Sequence, residues 1–286
     1  MQTVYLGFKA FDIHELGCHF VASHAGIYEA QGLRVRLIDT TFTTDEQLPP
    51  LSFQAACGSA LAGWLKGAPF KVVFVATDHP MFWLHGRAGL TWDKLKGGTI
   101  AGFPSAAPPS HFLRHVLGKV GLDSASDVKV LSVRDDVARL GLLRSGDVDA
   151  AVVSSAVLPP QAESCGFSPM AFIGDVVRVP TTGLAVHASA LREQTELVRS
   201  MCRAYRMALH VLHTDYGLLS AALMRFPGFQ GEDAAAACEI IRTFYTRDGR
   251  SAHNVLEHGI ELMRSALGLE GELPAESLYD FSLLTD

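Results

Sequence analysis

The chain has 286 residues, 48% hydrophobic and 19% charged, which is apolar enough for one large or two medium domains and excludes a disordered chain. Its 24 Lys and Arg against 30 Asp and Glu give a net charge of −6 with no basic run, so a nucleic-acid-binding stripe is excluded and an anionic membrane is disfavoured. The cysteines, at 18, 57, 165, 202 and 238, are odd in number and widely spaced; this excludes a Cys-x-x-Cys zinc or redox site and leaves them as small hydrophobes.

The start, Met1 to Lys9, has neither the basic opening nor the apolar run of a signal peptide. Val4–Lys9 is expected as a strand and Phe20–Gln31 as a helix stopped by Gly32. Leu33–Leu37 alternates apolar and basic residues and predicts a second strand. The uncharged stretch Leu48–Leu65 carries Pro49, Pro50 and Gln54 and makes a poor membrane span. Phe53–Lys66 is expected as a helix, and the wholly apolar core of Lys71–Ala76 as a strand buried on both faces. This βαβαβ rhythm points to an α/β sheet covered by helices.

The rhythm then restarts. A turn at Gly97-Gly98 leads into a strand at 99–102, and Ser110–Val120 is expected as a helix closed by Gly121. Val128–Val133 is a strand, Asp135–Ser145 a helix with Gly146 as its left-handed stop, and Asp149–Val153 a strand. After a short strand at Leu184–Val186 the period becomes helical, with Ser189 placed as an N-cap. Further helices fit Leu218–Arg225, Asp233–Tyr245 and Ala252–Leu267, with Pro227-Gly228 and Asp248-Gly249 between them.

Four stretches carry a resemblance: Ala22-Ser23-His24-Ala25-Gly26-Ile27-Tyr28-Glu29-Ala30-Gln31-Gly32-Leu33-Arg34-Val35, Lys66-Gly67-Ala68-Pro69-Phe70-Lys71-Val72-Val73, Leu95-Lys96-Gly97-Gly98-Thr99-Ile100-Ala101, and Leu143-Arg144-Ser145-Gly146-Asp147-Val148-Asp149-Ala150-Ala151-Val152. In this order they resemble the substrate-binding proteins of ABC transporters, of the nitrate/sulfonate/taurine and thiamine-precursor type. The resemblance covers about the first 190 residues well. It implies a two-lobed α/β fold, the type 2 periplasmic-binding-protein fold. Each lobe would be a mostly parallel sheet flanked by helices, with the helical C-terminal tail on lobe 1. Residues 1–87 and 183–286 would form lobe 1 and 88–182 lobe 2, with crossovers near His85–Leu90 and Val179–Leu184. A small polar organic molecule or oxyanion would be clamped by hinge closure.

In open α/β sheets ligands sit beyond the carboxyl ends of strands, where helix N-termini attract anions. On this chain that selects Lys9, Phe11, Asp12 and His14 after the first strand, and Cys57 and Ser59 at the second helix. It also selects His79 and Phe82 after the apolar strand, Ser105 and Ser110 before a later helix, Ser154 after the Asp149–Val153 strand, and Thr181 and Thr182 at the return crossover. Ser59, His79, Ser105, Ser110 and Thr182 would donate hydrogen bonds, and Phe11 and Phe82 would cover apolar parts. Few fixed positive charges stand at these positions, which favours a neutral or singly charged ligand over a doubly charged one.

No catalytic residue, metal or cofactor is expected. His14-Glu15-Leu16-Gly17-Cys18-His19 is one residue too long for a zinc-protease motif, and i, i+5 histidines lie roughly 140° from alignment on a helix. Gly17 also argues against a stable helix there. His111 and His115 have the right spacing but no third ligand. The related thiamine-pyrimidine synthase consumes its own histidine; aligned on Lys66-Gly67, its lysine and histidine positions hold Ala55 and Ser59 here, and its cysteine cluster falls on Val179–Val186, which has no cysteine. The alternative is a cytoplasmic enzyme on the same fold, a lyase, decarboxylase or cofactor-precursor enzyme, using Asp12, His14 or His79. A ligand-sensing module acting on a partner protein is a third reading. The expected partners are a small-molecule ligand and, if the protein is exported, an ABC permease; a monomer is expected. The expected location is outside the cytoplasm if a leader was removed, and the cytoplasm if the sequence is complete.

Overall fold

Short apolar strands alternate with helices to build two five-stranded sheets among the described residues, 1–43, 47–49 and 51–284, of this computed structural model. The chain divides into two compact units, Met1–Asp78 with Val179–Asp286, and His79–Arg178. Among the described residues no helix is long and apolar enough to cross a membrane.

The first unit opens with β1 (Gln2–Phe8), α1 (Ile13–His24), α2 (Ile27–Ala30), β2 (Leu33–Asp39), β3 (Ser52–Gln54), α3 (Cys57–Leu65) and β4 (Phe70–Thr77). The single helix expected at Phe20–Gln31 is two, and the first begins at Ile13 and contains Gly17. A Cβ at Gly17 would stand 2.2 Å from the Tyr245 hydroxyl, so this glycine is an approach point for a ring from the far end of the chain. The Tyr245 hydroxyl donates to the carbonyl of Ile13 at 2.6 Å. The helix expected at Phe53–Lys66 gives up its first residues to β3, because Phe53 and Gln54 pair with β1.

The second unit holds β5 (Phe82–Arg87), α4 (Trp92–Leu95), β6 (Thr99–Gly102), α5 (Pro108–Lys119), β7 (Lys129–Ser132), α6 (Asp136–Ser145), β8 (Ala150–Ser154), α7 (Pro159–Ser164), β9 (Phe167–Phe172) and α8 (Ile173–Val176). α6 begins and ends on chemistry visible in the sequence: Asp135 accepts from the Ala138 N–H, and Gly146 takes φ +81°. The division between units falls before β5 rather than after it, because β5 pairs with β8 and β9.

The chain then returns to the first unit with β10 (Thr182–His187), α9 (Ala188–Glu193), α10 (Thr195–Thr214), α11 (Tyr216–Leu223), α12 (Glu232–Ile241) and α13 (His253–Ala266). The cap expected at Ser189 is supplied instead by His187, whose Nδ1 accepts from the Ser189 N–H, and α10 starts only at Thr195. One face of α10 carries Leu197, Val198, Met201, Tyr205, Ala208, Leu209 and Leu212 into the core.

The strand orders are β2-β1-β3-β10-β4 and β7-β6-β8-β5-β9. Both sheets are mixed. β1 is parallel to β2 and β3, while β10 runs antiparallel to β3 and β4. β6 is parallel to β7 and β8, while β5 runs antiparallel to β8 and β9. The reversed strand in each sheet is the first strand after the chain enters that unit from the other. The outer edge of β4 is not left open. Thr246 N donates to Ala76 O, Val75 N to Gly249 O, and Asp280 N to Val72 O, so the tail covers a strand edge that would otherwise invite pairing.

Candidate functional site

At the carboxyl edge of the first sheet, β1 runs into the Lys9–Asp12 turn. Asp12 caps α1 by accepting from the Glu15 N–H at 2.9 Å. Glu15 closes the same turn from below: its Oε1 accepts from Lys9 N at 2.6 Å and its Oε2 from Ala10 N at 2.9 Å. Burial, and then the Asp12 carboxylate, push Glu15 up to about 8. The Lys9 ammonium donates to the carbonyl of Thr40, and Thr41 Oγ1 donates to the carbonyl of Lys9. Lys9 is therefore partly spent on pinning the β2 exit to this turn. Phe11 is 44% exposed and packs its ring against Phe8, Phe20 and Phe226 at 5.7–5.8 Å.

His14 is the second residue of α1 and is buried. Its Nε2 is 2.9 Å from Thr77 Oγ1 and 2.8 Å from Thr181 Oγ1. Those hydroxyls are 2.9 Å apart, and Thr77 Oγ1 also lies 2.8 Å from Thr182 Oγ1. Burial pushes His14 down to about 3, so the imidazole is neutral near pH 7. Thr77 ends β4, and Thr181 and Thr182 stand where the chain re-enters this unit. Thr181 N donates to Thr77 O and Val179 N to Asp78 O, while Ser251 Oγ fastens the Asp78 carboxylate at 2.6 Å. The structure thus gathers His14, Thr181 and Thr182 into one hydroxyl–imidazole cluster, with Thr77 at its centre.

Cys57 and Ser59 start α3. The Cys57 thiol is buried, points to the Phe74 carbonyl at 3.7 Å, and is pushed up by burial. Ser59 is half-buried. The backbone donors expected at this helix start are already in use: Gly58 N donates to Thr181 O and Ser59 N to Ala56 O.

In the second unit, His79 is half-buried just ahead of β5, and Phe82 meets the Phe103 ring edge-on at 5.3 Å. Ser105 is exposed in the turn after β6, and Ser110 is buried in the first turn of α5. Both line one cavity of about 230 Å³, together with Phe103, Leu113, Arg114, Ser124, Val130 and Ser132. The α5 start offers few amides, because Pro108 and Pro109 have no N–H and Ser110 N bonds to Ala107 O. Recognition here falls to side chains.

Ser154, expected to face a ligand, is engaged. Its Oγ donates to Asp136 Oδ2 at 2.7 Å and its N–H to Asp136 Oδ1 at 3.0 Å. Asp136 also pairs with Arg139, a fully buried guanidinium that donates to the carbonyls of Val133 at 2.6 Å and Arg134 at 2.8 Å. Arg139 Cζ lies 3.8 Å from the centre of the Phe103 ring. Sequence reasoning passes over Arg139, because an arginine in a helix reads as a solvated face; only the fold supplies its partners. Arg114 and Phe103 carried no motif either.

Among the described residues no group of three His, Cys, Asp or Glu side chains is placed to hold a metal ion. His14 and His19 point to different partners, since His19 Nδ1 meets the Tyr28 hydroxyl at 3.1 Å.

Comparison with curated proteins returned no match. Among solved structures, the alkanesulfonate-binding protein SsuA from Xanthomonas axonopodis pv. citri bound to MOPS superposes with a TM-score of 0.74 at 16% identity, covering 97% of this chain and 98% of that one. The ligand-binding component of an ABC-type import system from Staphylococcus aureus gives 0.75 at 10% identity, covering 99% and 98%. The desulfurization enzyme DSZB gives 0.76 at 15% identity, covering 99% and 98%. These likenesses show the two-lobed periplasmic-binding-protein fold. The family model described as NMT1/THI5 like matches residues 15–215, well over half of the chain. The chain therefore belongs to the NMT1/THI5-like family.

Proposed function

We propose that this protein is a solute-binding protein that captures a small polar organic molecule or oxyanion for ABC-type import. The observation that carries the reading is the state of its polar groups at the carboxyl edges. His14, Thr77, Thr181 and Thr182 form one hydrogen-bonded cluster there, and Ser154 is held by Asp136. Burial pushes the thiols of Cys18, Cys57, Cys202 and Cys238 up, the opposite of what a nucleophilic cysteine needs. Family membership and the whole-chain likeness to import-system binding components support the same reading.

In this proposal Ser59, His79, Ser105, Ser110 and Thr182 donate hydrogen bonds to the ligand, and Phe11 and Phe82 cover its apolar part. His14 and Thr181 hold Thr182 in place through Thr77, and Lys9, Asp12, Cys57 and Ser154 line the same site. The protein works as a monomer outside the cytoplasm and hands its ligand to a membrane permease. An in-frame leader in the upstream genomic DNA would support export.

The test is a thermal-shift screen against small anions, sulfonates, pyrimidines, aromatic acids and amines. A ligand at about 100 times its dissociation constant adds roughly 2.7 kcal/mol, which moves the midpoint by several degrees. A hit recovered unchanged by mass spectrometry is the expected result. Small-angle scattering with and without that hit then tests hinge closure. The second reading, an enzyme on the same fold, is favoured by the likeness to DSZB. A hit recovered chemically altered would put it first.

A further inference from the structure

The cavity of the second unit narrows the ligand class, an inference that rests on the solute-binding reading above. It lies between α5, the loop 120–128 and the edge strand β7. Four serine hydroxyls, of Ser105, Ser110, Ser124 and Ser132, share its lining with one charged side chain, Arg114. The apolar part is the ring of Phe103 with Leu113 and Val130.

The charge count is one positive and no negative. The nearby loop carboxylates are turned to other work. Asp123 accepts from Ala125 N and Ser126 Oγ, and Asp127 accepts from Asp123 N and pairs with Lys96 at 3.0 Å. Arg114 is exposed and aimed. It donates to His111 Nδ1, and since arginine has no acceptor, His111 must carry its proton on Nε2. Burial and the neighbouring guanidinium hold His111 below the usual histidine range, so it stays a neutral acceptor that leaves the positive charge on Arg114 uncancelled. With the α5 start short of amides, this guanidinium is the principal anion donor.

The Phe103 ring is fixed by Arg139 at 3.8 Å and by the Phe82 edge, so it offers a pre-set apolar wall. A cavity of about 150 Å³ takes benzene, so one of about 230 Å³ admits a single ring with one substituent.

We propose that this cavity takes a small monoanion with a flat apolar body, its anionic group on Arg114 and the serine hydroxyls and its ring against Phe103. A dianion would bring a second charge that no other lining cation meets, and a neutral ring would leave the guanidinium unused.

Isothermal titration of the full chain with benzoate, benzyl alcohol and phthalate tests the assignment. Benzoate is expected to bind once per chain, at least about tenfold tighter than the other two. Arg114→Gln is expected to weaken it by about tenfold to a hundredfold, the range for one hydrogen bond to a charged group. Lys119→Gln, in the last turn of the same helix, serves as the charge control and is expected to leave benzoate binding unchanged. Absence of benzoate binding, equal affinity for benzyl alcohol, or a benzoate affinity indifferent to Arg114→Gln would overturn the assignment. If the solute screen still yields a ligand recovered unchanged, the solute-binding reading survives that failure; if it yields turnover, that reading falls on its own evidence.

Discussion

Stability should pass through a maximum near neutral pH and fall steeply in acid, for a reason traceable to four side chains. Burial pushes His14 down to about 3 and His19 and His85 down to about 4, from an ordinary value of 6.5. Unfolded, each takes up a proton below 6.5 that the folded chain refuses, so stability is lost as pH falls. Glu15 runs the other way. Raised from 4.5 to about 8, it keeps its proton in the fold and loses it on unfolding, so stability is lost as pH rises from 4.5 to about 8. Near pH 5.5 unfolding therefore takes up three protons and releases one. At about 1.4 kcal/mol per proton per pH unit, the net of two gives a slope of about 2.7 kcal/mol per unit. Two units of acidification would remove much of a typical stability of about 5–15 kcal/mol. The partly buried His111 and His213 are shifted in the same direction as the three histidines. The cleanest perturbation is His85→Leu. This imidazole is fully buried on β5, and neither ring nitrogen has a hydrogen-bond partner among the described residues, so the exchange removes a titration without breaking a bond. Urea unfolding between pH 5 and 8 at fixed ionic strength is the assay. The acid-side slope should drop by about 1.4 kcal/mol per unit in the variant. A wild-type profile flat from pH 7 to pH 5, or an unchanged slope in His85→Leu, would refute the reasoning.

Other outcomes follow from the packing. Arg139→Met should cost about 3–5 kcal/mol, because it leaves the largely buried Asp136 carboxylate without its cation; adding Asp136→Asn should recover part of that loss in the same urea titration. Gly17→Ala, which would help an ordinary helix by about 1 kcal/mol, should instead destabilise by about 1–3 kcal/mol, since the new methyl meets Tyr245. Tyr245→Phe in the same chain should relieve part of the strain, and additive costs would argue against the clash. In the folded protein Ellman's reagent should label Cys165 fast and the other four cysteines only on unfolding, since those four are buried. Rapid labelling of a second thiol would contradict the packing around it.

The elements whose signals are local were legible. Asp135 and Gly146 bracket α6 by capping chemistry that needs nothing from the rest of the fold. Strands β1, β2 and β4 show in the apolar runs, whereas β3 reads as the start of a helix. What failed depended on partners far along the chain. Gly17 reads as a helix breaker until Tyr245 occupies the space beside it. Phe82–Arg87 has no clean alternation, because as an interior strand it is covered on both sides. The candidate site was half legible. Thr181 and Thr182 stand out at the return crossover and Ser105 and Ser110 before a helix; the fold joins the threonines through Thr77 and sets the serines along one cavity. Ser154 was selected by the same rule, yet its hydroxyl is committed to Asp136. Arg139 is not found from the sequence, since its partners are the carbonyls of Val133 and Arg134, the Asp136 carboxylate, and an aromatic ring just past another strand.

The placement of β10 sets the order in which the protein can assemble on the ribosome. It lies between β3 and β4, so the first sheet stays split, with two strand edges bare, until residues 182–187 have emerged. All five strands of the second sheet lie between residues 82 and 172. The unit synthesised in the middle is therefore the first whose sheet can close, reversing the usual N-terminal-first sequence of domain folding. The opening 78 residues leave the tunnel early and finish late. During that interval β3 and β4 are the surfaces most in need of a chaperone.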